Sequence, residues 1–290
     1  MKAIIMDMDG TLLNSNNEIS NATLNKLIEL EKQGITLILA SGRSYTRLLP
    51  YARQLKMDEY GGYLLEVDGI AIYDMKKDER QILRQMEYSE IEEVFSYLMT
   101  LECESMACFD DGMFDYFPQS IRKIKEKIRI EENLPDDFPW TSGPWRWLED
   151  LSKGYPNVYY IQDVNEIHGP INKLQIMQDE NKIMDLYKIL VERYQGKFEI
   201  FRTCPRQLEI LPLGFSKGKT LQKVMEWKGW KPEDVLAFGD GENDVSMFEV
   251  AYHSFAMANA KDFVKEKARY VTSSNNEEGI LRGIEQVERG

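Results

Sequence analysis

Two carboxylates stand two residues apart, Asp7 and Asp9, in the stretch MDMDGTLL (6–13) behind the apolar run Ala3-Ile4-Ile5. If the strand continues through them, residues i and i+2 share a face and the two side chains lie side by side. Like charges that close are unfavourable unless a cation sits between them. A solvated Asp-Gly turn is the other reading of the same eight residues. The chemistry open to a held pair of acids is nucleophilic attack and proton transfer, and it requires the rest of the chain to supply a cation.

The elements that must position these acids can be read from periodicity. Residues 1–80 alternate strand and helix: KAIIM, a helix capped by Ser20 and stopped by Gly34, the apolar run ITLILA (35–40), a helix around 44–55, and YLLEV (63–67). The tail repeats the pattern with VLAFGD (235–240), a helix near 243–250, SFAMA (254–258), a helix from Lys261, YVT and a last helix. Such alternation predicts an α/β fold with a doubly wound parallel sheet. The middle differs. A helix over 89–102, a hairpin at Asp110-Asp111-Gly112, strands at 158–162 and 171–177, a helix over 181–194 and two closing strands predict an inserted α+β domain. We place the core at 1–82 and 213–290 and the insert at 83–212. The segment 131–149 holds three prolines and Trp140, Trp145 and Trp147, read as an irregular aromatic insertion, either a stacking platform or local packing.

In a parallel sheet, ligands bind outside the carboxyl ends of the strands. Asp7 and Asp9 end the first strand, Ser41-Gly42-Arg43 the second, and Asp240 a third, with Asn243 and Asp244 just beyond. Lys217, in FSKGKTL, stands at a helix start where amide N–H groups favour anions. Alone, Ser-Gly is a plain turn and SKGK a solvated helix start. Four such pieces in this order converge on one site.

DxDGTLL, ASGR, a lone lysine in SKG and GDGEND resemble the four motifs of the haloacid dehalogenase superfamily of phosphatases. The insert between the second and third motifs resembles the Cof-type subgroup, with an α/β cap and small phosphate esters, mostly sugar phosphates, as substrates. The resemblance implies Mg2+ as cofactor and gives each position a role. Asp7 is the nucleophile and a metal ligand. Asp9 binds the metal through its backbone carbonyl, and its carboxyl serves as general acid, then base. Ser41, Gly42, Arg43, Lys217 and Asn243 hold the phosphoryl group, with a structural ion pair as the other reading of Arg43. Asp240 and Asp244 complete the metal set, Asp244 as the support of Asp240. One departure is Asp68, where the subgroup usually has asparagine, and no role is carried over to it. Near the end of the cap, Arg202, Thr203 and Arg206, with Asp110 and Asp111 on the hairpin, are polar candidates for selecting a substrate or for plain surface.

Composition narrows the alternatives. The 290 residues carry 36 basic and 49 acidic side chains, a net charge of −13, which disfavours nucleic acid and anionic membranes as partners. An anionic substrate then needs a local cationic pocket. No apolar run spans a bilayer and no signal peptide is evident, so a soluble cytoplasmic protein, a monomer or weak dimer, is expected. Cys103, Cys108 and Cys204 read as free thiols, and two histidines are too few for a histidine metal site. The expected activity is a Mg2+-dependent phosphatase. A phosphomutase and a non-catalytic regulator that binds sugar phosphates are the alternatives.

Overall fold

Period-2 burial on both faces explains why the terminal strands are continuous apolar runs. The structure is a computed structural model that describes residues 1–152 and 154–289. In chain order come β1 (Ala3–Met6), α1 (Asn21–Lys32), β2 (Thr36–Ala40), α2 (Tyr45–Gln54), α3 (Met57–Tyr60), β3 (Gly62–Glu66), β4 (Ala71–Asp74) and β5 (Glu79–Ile82). The middle supplies α4 (Tyr88–Leu98), β6 (Glu104–Phe109), β7 (Gly112–Tyr116), α5 (Gln119–Glu131), β8 (Asn157–Tyr160), β9 (Lys173–Met177), α6 (Glu180–Arg193), β10 (Phe198–Cys204) and β11 (Gln207–Pro212). The tail adds α7 (Lys217–Lys228), β12 (Val235–Gly239), α8 (Val245–Phe248), β13 (His253–Ala256), α9 (Asp262–Lys265), β14 (Tyr270–Val271) and α10 (Gly279–Glu288). Two compact units result, Met1–Leu83 with Phe215–Gly290, and Arg84–Gly214.

The first unit is an eight-stranded sheet in the order β14-β13-β12-β1-β2-β3-β4-β5. From β14 to β3 every pairing is parallel. Ile4 and Met6 pack on one face with Leu27 of α1, Leu48 of α2 and Ile284 of α10. Ala3 and Ile5 pack on the other with Leu221 and Val224 of α7, Met247 of α8 and Val264 of α9. The chain winds one way from β1 and the other way from β12, so the switch point lies between these neighbours. The doubly wound parallel sheet expected from sequence is present, and β4 and β5, not expected, add an antiparallel ribbon at the β3 edge. Glu-Arg-Gln-Ile in β5 carries no apolar face, because an edge strand there needs none, and so it reads as loop.

The second unit has a six-stranded sheet ordered β10-β11-β9-β6-β7-β8, antiparallel except between β7 and β8. Helices α4 and α6 cover one face through Ile91, Val94, Phe95, Ile183 and Leu190. The other face is covered by α5 and the segment after it, through Ile121, Trp140 and Trp147 on Met106, Cys108, Met113 and Met177. Two of the three tryptophans are therefore packed, while Trp145 is exposed. Helix α5 was not expected from sequence. Its most buried residue is Lys125, fully enclosed, whose ammonium donates to Glu104 Oε1 at 2.7 Å and to the Trp140 carbonyl. A lysine at a core position hides the apolar stripe by which a helix is recognised.

Glu31 of α1 is 5% exposed, and neither of its side-chain oxygens has a hydrogen-bond partner. Burial first, and then Asp58 and Glu59, push its carboxyl up to about 8. The folded state therefore keeps a proton that the unfolded chain releases near the ordinary glutamate value. Its contribution is intact below that value and is lost as pH rises toward about 8. Replacing Glu31 with Gln removes this dependence. Thermal unfolding of Glu31→Gln should exceed wild type by a few degrees at about pH 9 and match it at about pH 5. Equal increments at both pH values would refute the assignment.

Candidate active site

Four adjacent parallel strands, β12, β1, β2 and β3, end at the same edge of the first unit, and the residues that follow them meet there. Strand β1 stops at Met6, one residue before the first acid. Asp7 N–H donates to the Phe238 carbonyl at 3.0 Å, which ties the loop to β12. The Asp7 side chain is buried, and its Oδ1 accepts from Lys217 Nζ at 2.5 Å. Lys217 opens α7, a helix capped by Ser216, whose Oγ accepts from Lys219 N–H. Fully buried, Lys217 also donates to Asp244 Oδ1 at 2.7 Å. The other oxygen of Asp244 accepts the Asp240 and Gly241 N–H groups, each at 2.9 Å. Asp240 is held by Thr11 Oγ1 at 2.8 Å and by Asn259 Nδ2 at 3.3 Å, and Asn259 also donates to the Gly10 carbonyl at 2.9 Å. Gly10, at φ +81, leaves room for this contact, because a Cβ there would lie 2.4 Å from Asp240 Oδ2.

The two opening acids do not lie side by side. The strand has ended, so the alternation that would pair them does not apply, and Asp9 turns outward. Its carboxylate is 55% exposed and takes a fork from Arg43, with Nε at 2.8 Å from Oδ2 and Nη2 on Oδ1. The cation expected between the acids is instead two separate cations, Lys217 for Asp7 and Arg43 for Asp9. Of the two readings of Arg43, the ion pair is the contact present.

Ser41 is buried after β2, its Oγ accepting the Arg43 N–H at 3.2 Å and its carbonyl accepting the Asp68 N–H at 3.0 Å; Gly42 lies between these residues. Glu66, fully buried at the end of β3, accepts the Tyr45 N–H at 3.0 Å and pairs with Arg80 at 2.8 Å. That clamp fixes the start of α2 and with it the loop 41–44. Asn243 donates to Asp68 Oδ1 at 2.8 Å. Sequence reasoning passed over Thr11, Glu66, Arg80 and Asn259. Asn259 follows β13 at the same sheet edge, so the strand-end rule that picked out Asp240 could have found it.

Asp7, Asp240 and Asp244 each offer a carboxylate oxygen, all within 4.8 Å of one another. Burial and the neighbouring Asp244 push Asp7 well above the usual carboxylate range, although Lys217 opposes them. The same two causes raise Asp240 to about 7. Burial alone would lower Lys217, but Asp244 and Asp7 outweigh it and keep the ammonium charged. One ammonium faces three carboxylates. An all-oxygen donor set short of positive charge fits a hard divalent cation such as Mg2+. The Asp9 side chain is outside this set. Asp244 has both oxygens engaged, and so suits holding Lys217 and the Asp240 loop. Such a site can present a buried carboxylate as nucleophile and bind an anion against Lys217.

In the second unit the polar candidates make the following contacts. Asp110 accepts from Asn172 and Asp111 from Asn157, at 2.8 and 2.9 Å. Arg202 donates to the Cys204 and Pro205 carbonyls, and Arg206 stacks 4.2 Å over Trp147. Thr203 Oγ1 is buried without a hydrogen-bond partner.

Comparison with known proteins agrees with this architecture. A protein named 5-amino-6-(5-phospho-D-ribitylamino)uracil phosphatase from Bacillus subtilis is 28% identical, covering all of this chain and 99% of the relative. A pyridoxal phosphate phosphatase of Escherichia coli is 26% identical over 98% of this chain and 97% of its own. The crystal structure of a haloacid dehalogenase-like hydrolase from Bacteroides thetaiotaomicron superposes with a TM-score of 0.75 at 30% identity, covering 99% of both chains. The family model of the haloacid dehalogenase-like hydrolases matches residues 4–284, and the chain belongs to that family.

Proposed function

We propose that this hydrolase is a Mg2+-dependent phosphatase that cleaves small phosphate monoesters, sugar phosphates among them, through an aspartyl-phosphate on Asp7. The observation that carries the reading is the fully buried Lys217 bridging Asp7 and Asp244 within a cluster of three carboxylates. A phosphoric monoester hydrolase needs that arrangement, since a dianionic phosphoryl group repels an anionic nucleophile unless fixed cations bring them together.

In the first step an Asp7 oxygen forms a bond to phosphorus while the ester P–O bond breaks, and the leaving oxygen takes a proton from Asp9. In the second step water attacks the aspartyl-phosphate, gives its proton to Asp9 and releases inorganic phosphate with Asp7 restored. The carboxylate of Asp9 lies outside the three-carboxylate cluster, and it would serve in proton transfer once Arg43 turns from it to the phosphoryl group. Asp7, Asp240 and the Asp9 carbonyl would hold Mg2+, with Asp244 as support, and the bound ion would neutralise charge on the transferring group. Ser41, Gly42, Arg43, Lys217 and Asn243 would hold the phosphoryl oxygens.

The names of the two relatives, a phosphoribitylaminouracil and pyridoxal phosphate phosphatase, support a small phosphorylated metabolite as substrate. Residues 83–212 would form the substrate-selecting cap. Among the described residues no helix is long and apolar enough to cross a membrane. Three free cysteines support a cytoplasmic enzyme, and the net charge of −13 supports one that works without nucleic acid; a monomer or weak dimer is the proposed state.

Three outcomes test the reading with an aryl phosphate as substrate. Asp7→Asn should abolish turnover with the fold intact by circular dichroism, and more than a few per cent of wild-type kcat would sink the covalent mechanism. Chelation should remove activity and Mg2+ restore it, so full activity in chelator would overturn the ligand set. Lys217→Ala should cost about 3 kcal/mol, roughly a hundredfold in kcat/KM. Exposed Lys219 is the control: Lys219→Ala should change kcat/KM by less than about twofold.

A further inference from the structure

Asp68 follows β3 and has no part in the mechanism above. Its side chain is 1% exposed, with Oδ1 accepting from Asn243 Nδ2 at 2.8 Å and Oδ2 buried without a hydrogen-bond partner. Its backbone N–H holds the Ser41 carbonyl at 3.0 Å, and its charge supports that of Lys217 behind Asp244 and Asp7. One residue thus touches or faces three groups assigned to the phosphoryl oxygens, Asn243 and Lys217 through its carboxylate and Ser41 through its backbone. The backbone is specialised for this place. Asp68 is left-handed at φ +55, and Gly69, at φ +103, sits where a Cβ would lie 2.5 Å from the Ser216 carbonyl.

An ionised carboxylate only accepts hydrogen bonds, whereas a side-chain amide has a donating and an accepting end. Opposite Asp68, Asn243 must therefore turn its NH2 group inward, and its second N–H remains available to an anion. The same carboxylate places a negative charge beside a lysine already shared by two others. That charge opposes a bound phosphate.

We propose that Asp68 is a positioning residue: it fixes the Asn243 amide for the phosphoryl group, and its charge loosens the grip on phosphate so that product leaves readily. This rests on the phosphatase reading of the site. Asp68→Asn separates the two effects, because asparagine tolerates the left-handed backbone and keeps an acceptor but carries no charge. Asp68→Ala removes charge and acceptor together.

The experiment measures kcat and KM on an aryl phosphate, and Ki for inorganic phosphate, at fixed Mg2+ and two ionic strengths. Asp68→Asn should lower Ki about tenfold, with a smaller gain at high salt. Asp68→Ala should bind phosphate about tenfold more weakly than Asp68→Asn, and this difference should vanish when Asn243→Ala is added to both. If Asp68→Ala fails to fold, Asn243→Ala alone reports the lost amide and should raise KM about tenfold with a smaller change in kcat. An unchanged or raised Ki in Asp68→Asn overturns the proposal, as does equal phosphate binding by Asp68→Asn and Asp68→Ala or an unchanged KM in Asn243→Ala. Absence of wild-type turnover overturns the phosphatase reading instead.

Discussion

The site depends on one buried ammonium. Lys217 is fully enclosed, and removing its charge from water costs several kcal/mol unless partners offset it. Asp7 and Asp244 do so, at 2.5 and 2.7 Å, from positions 210 and 27 residues away in the chain. The end of β1, the start of α7 and the turn after β12 are tied through this atom. Each carboxylate in turn tolerates burial because the lysine is there. Separately, none of the three would be stable as a buried ion.

Around that ion the sheet acts as a rigid frame. Alternate residues of β1 and β2 feed two cores on opposite faces, so the strands cannot slip by one residue without exposing both. With register fixed, the loops at the strand ends are held by short backbone bonds: Asp7 N–H to Phe238, Ser41 N–H to Leu65, and Asp68 N–H to Ser41. Side chains then complete the frame. Glu66 with Arg80 anchors the loop after β2, and Thr11 with Asn259 anchors Asp240 from two different loops. Polar groups at this edge are held by partners that are themselves held, which suits a site whose charges must be in place before substrate arrives.

Buried charge recurs in the inserted unit with a different result. Lys125 pairs with Glu104 and Lys173 with Glu209, all nearly or fully buried against the sheet. Asp115 lies beside the first pair, and burial followed by the Glu104 charge pushes it well above the usual carboxylate range. These groups fasten α5 and the strands of that sheet. Charge inside this protein is thus not by itself a sign of chemistry.

The chain spelled out the outline of fold and site by itself. Strand runs, the Ser20 cap and the order of acidic and basic motifs depend on local preference, and residues at the ends of parallel strands share an edge wherever such a sheet forms. Asp7, Ser41, Asp240, Asn243 and Asp244 were legible for that reason, and Lys217 as the residue that opens a helix. Tertiary structure decided which partner each side chain takes. Whether Asp9 faces Asp7 or Arg43 depends on where β1 stops, and that is set by its pairing with β2 and β12. The burial of Lys125 could not be read because local sequence does not say what will lie above a helix. The ribbon β4–β5 and the neighbours of Asp68 and Asn259 are contacts between distant segments, which pattern within a segment cannot encode.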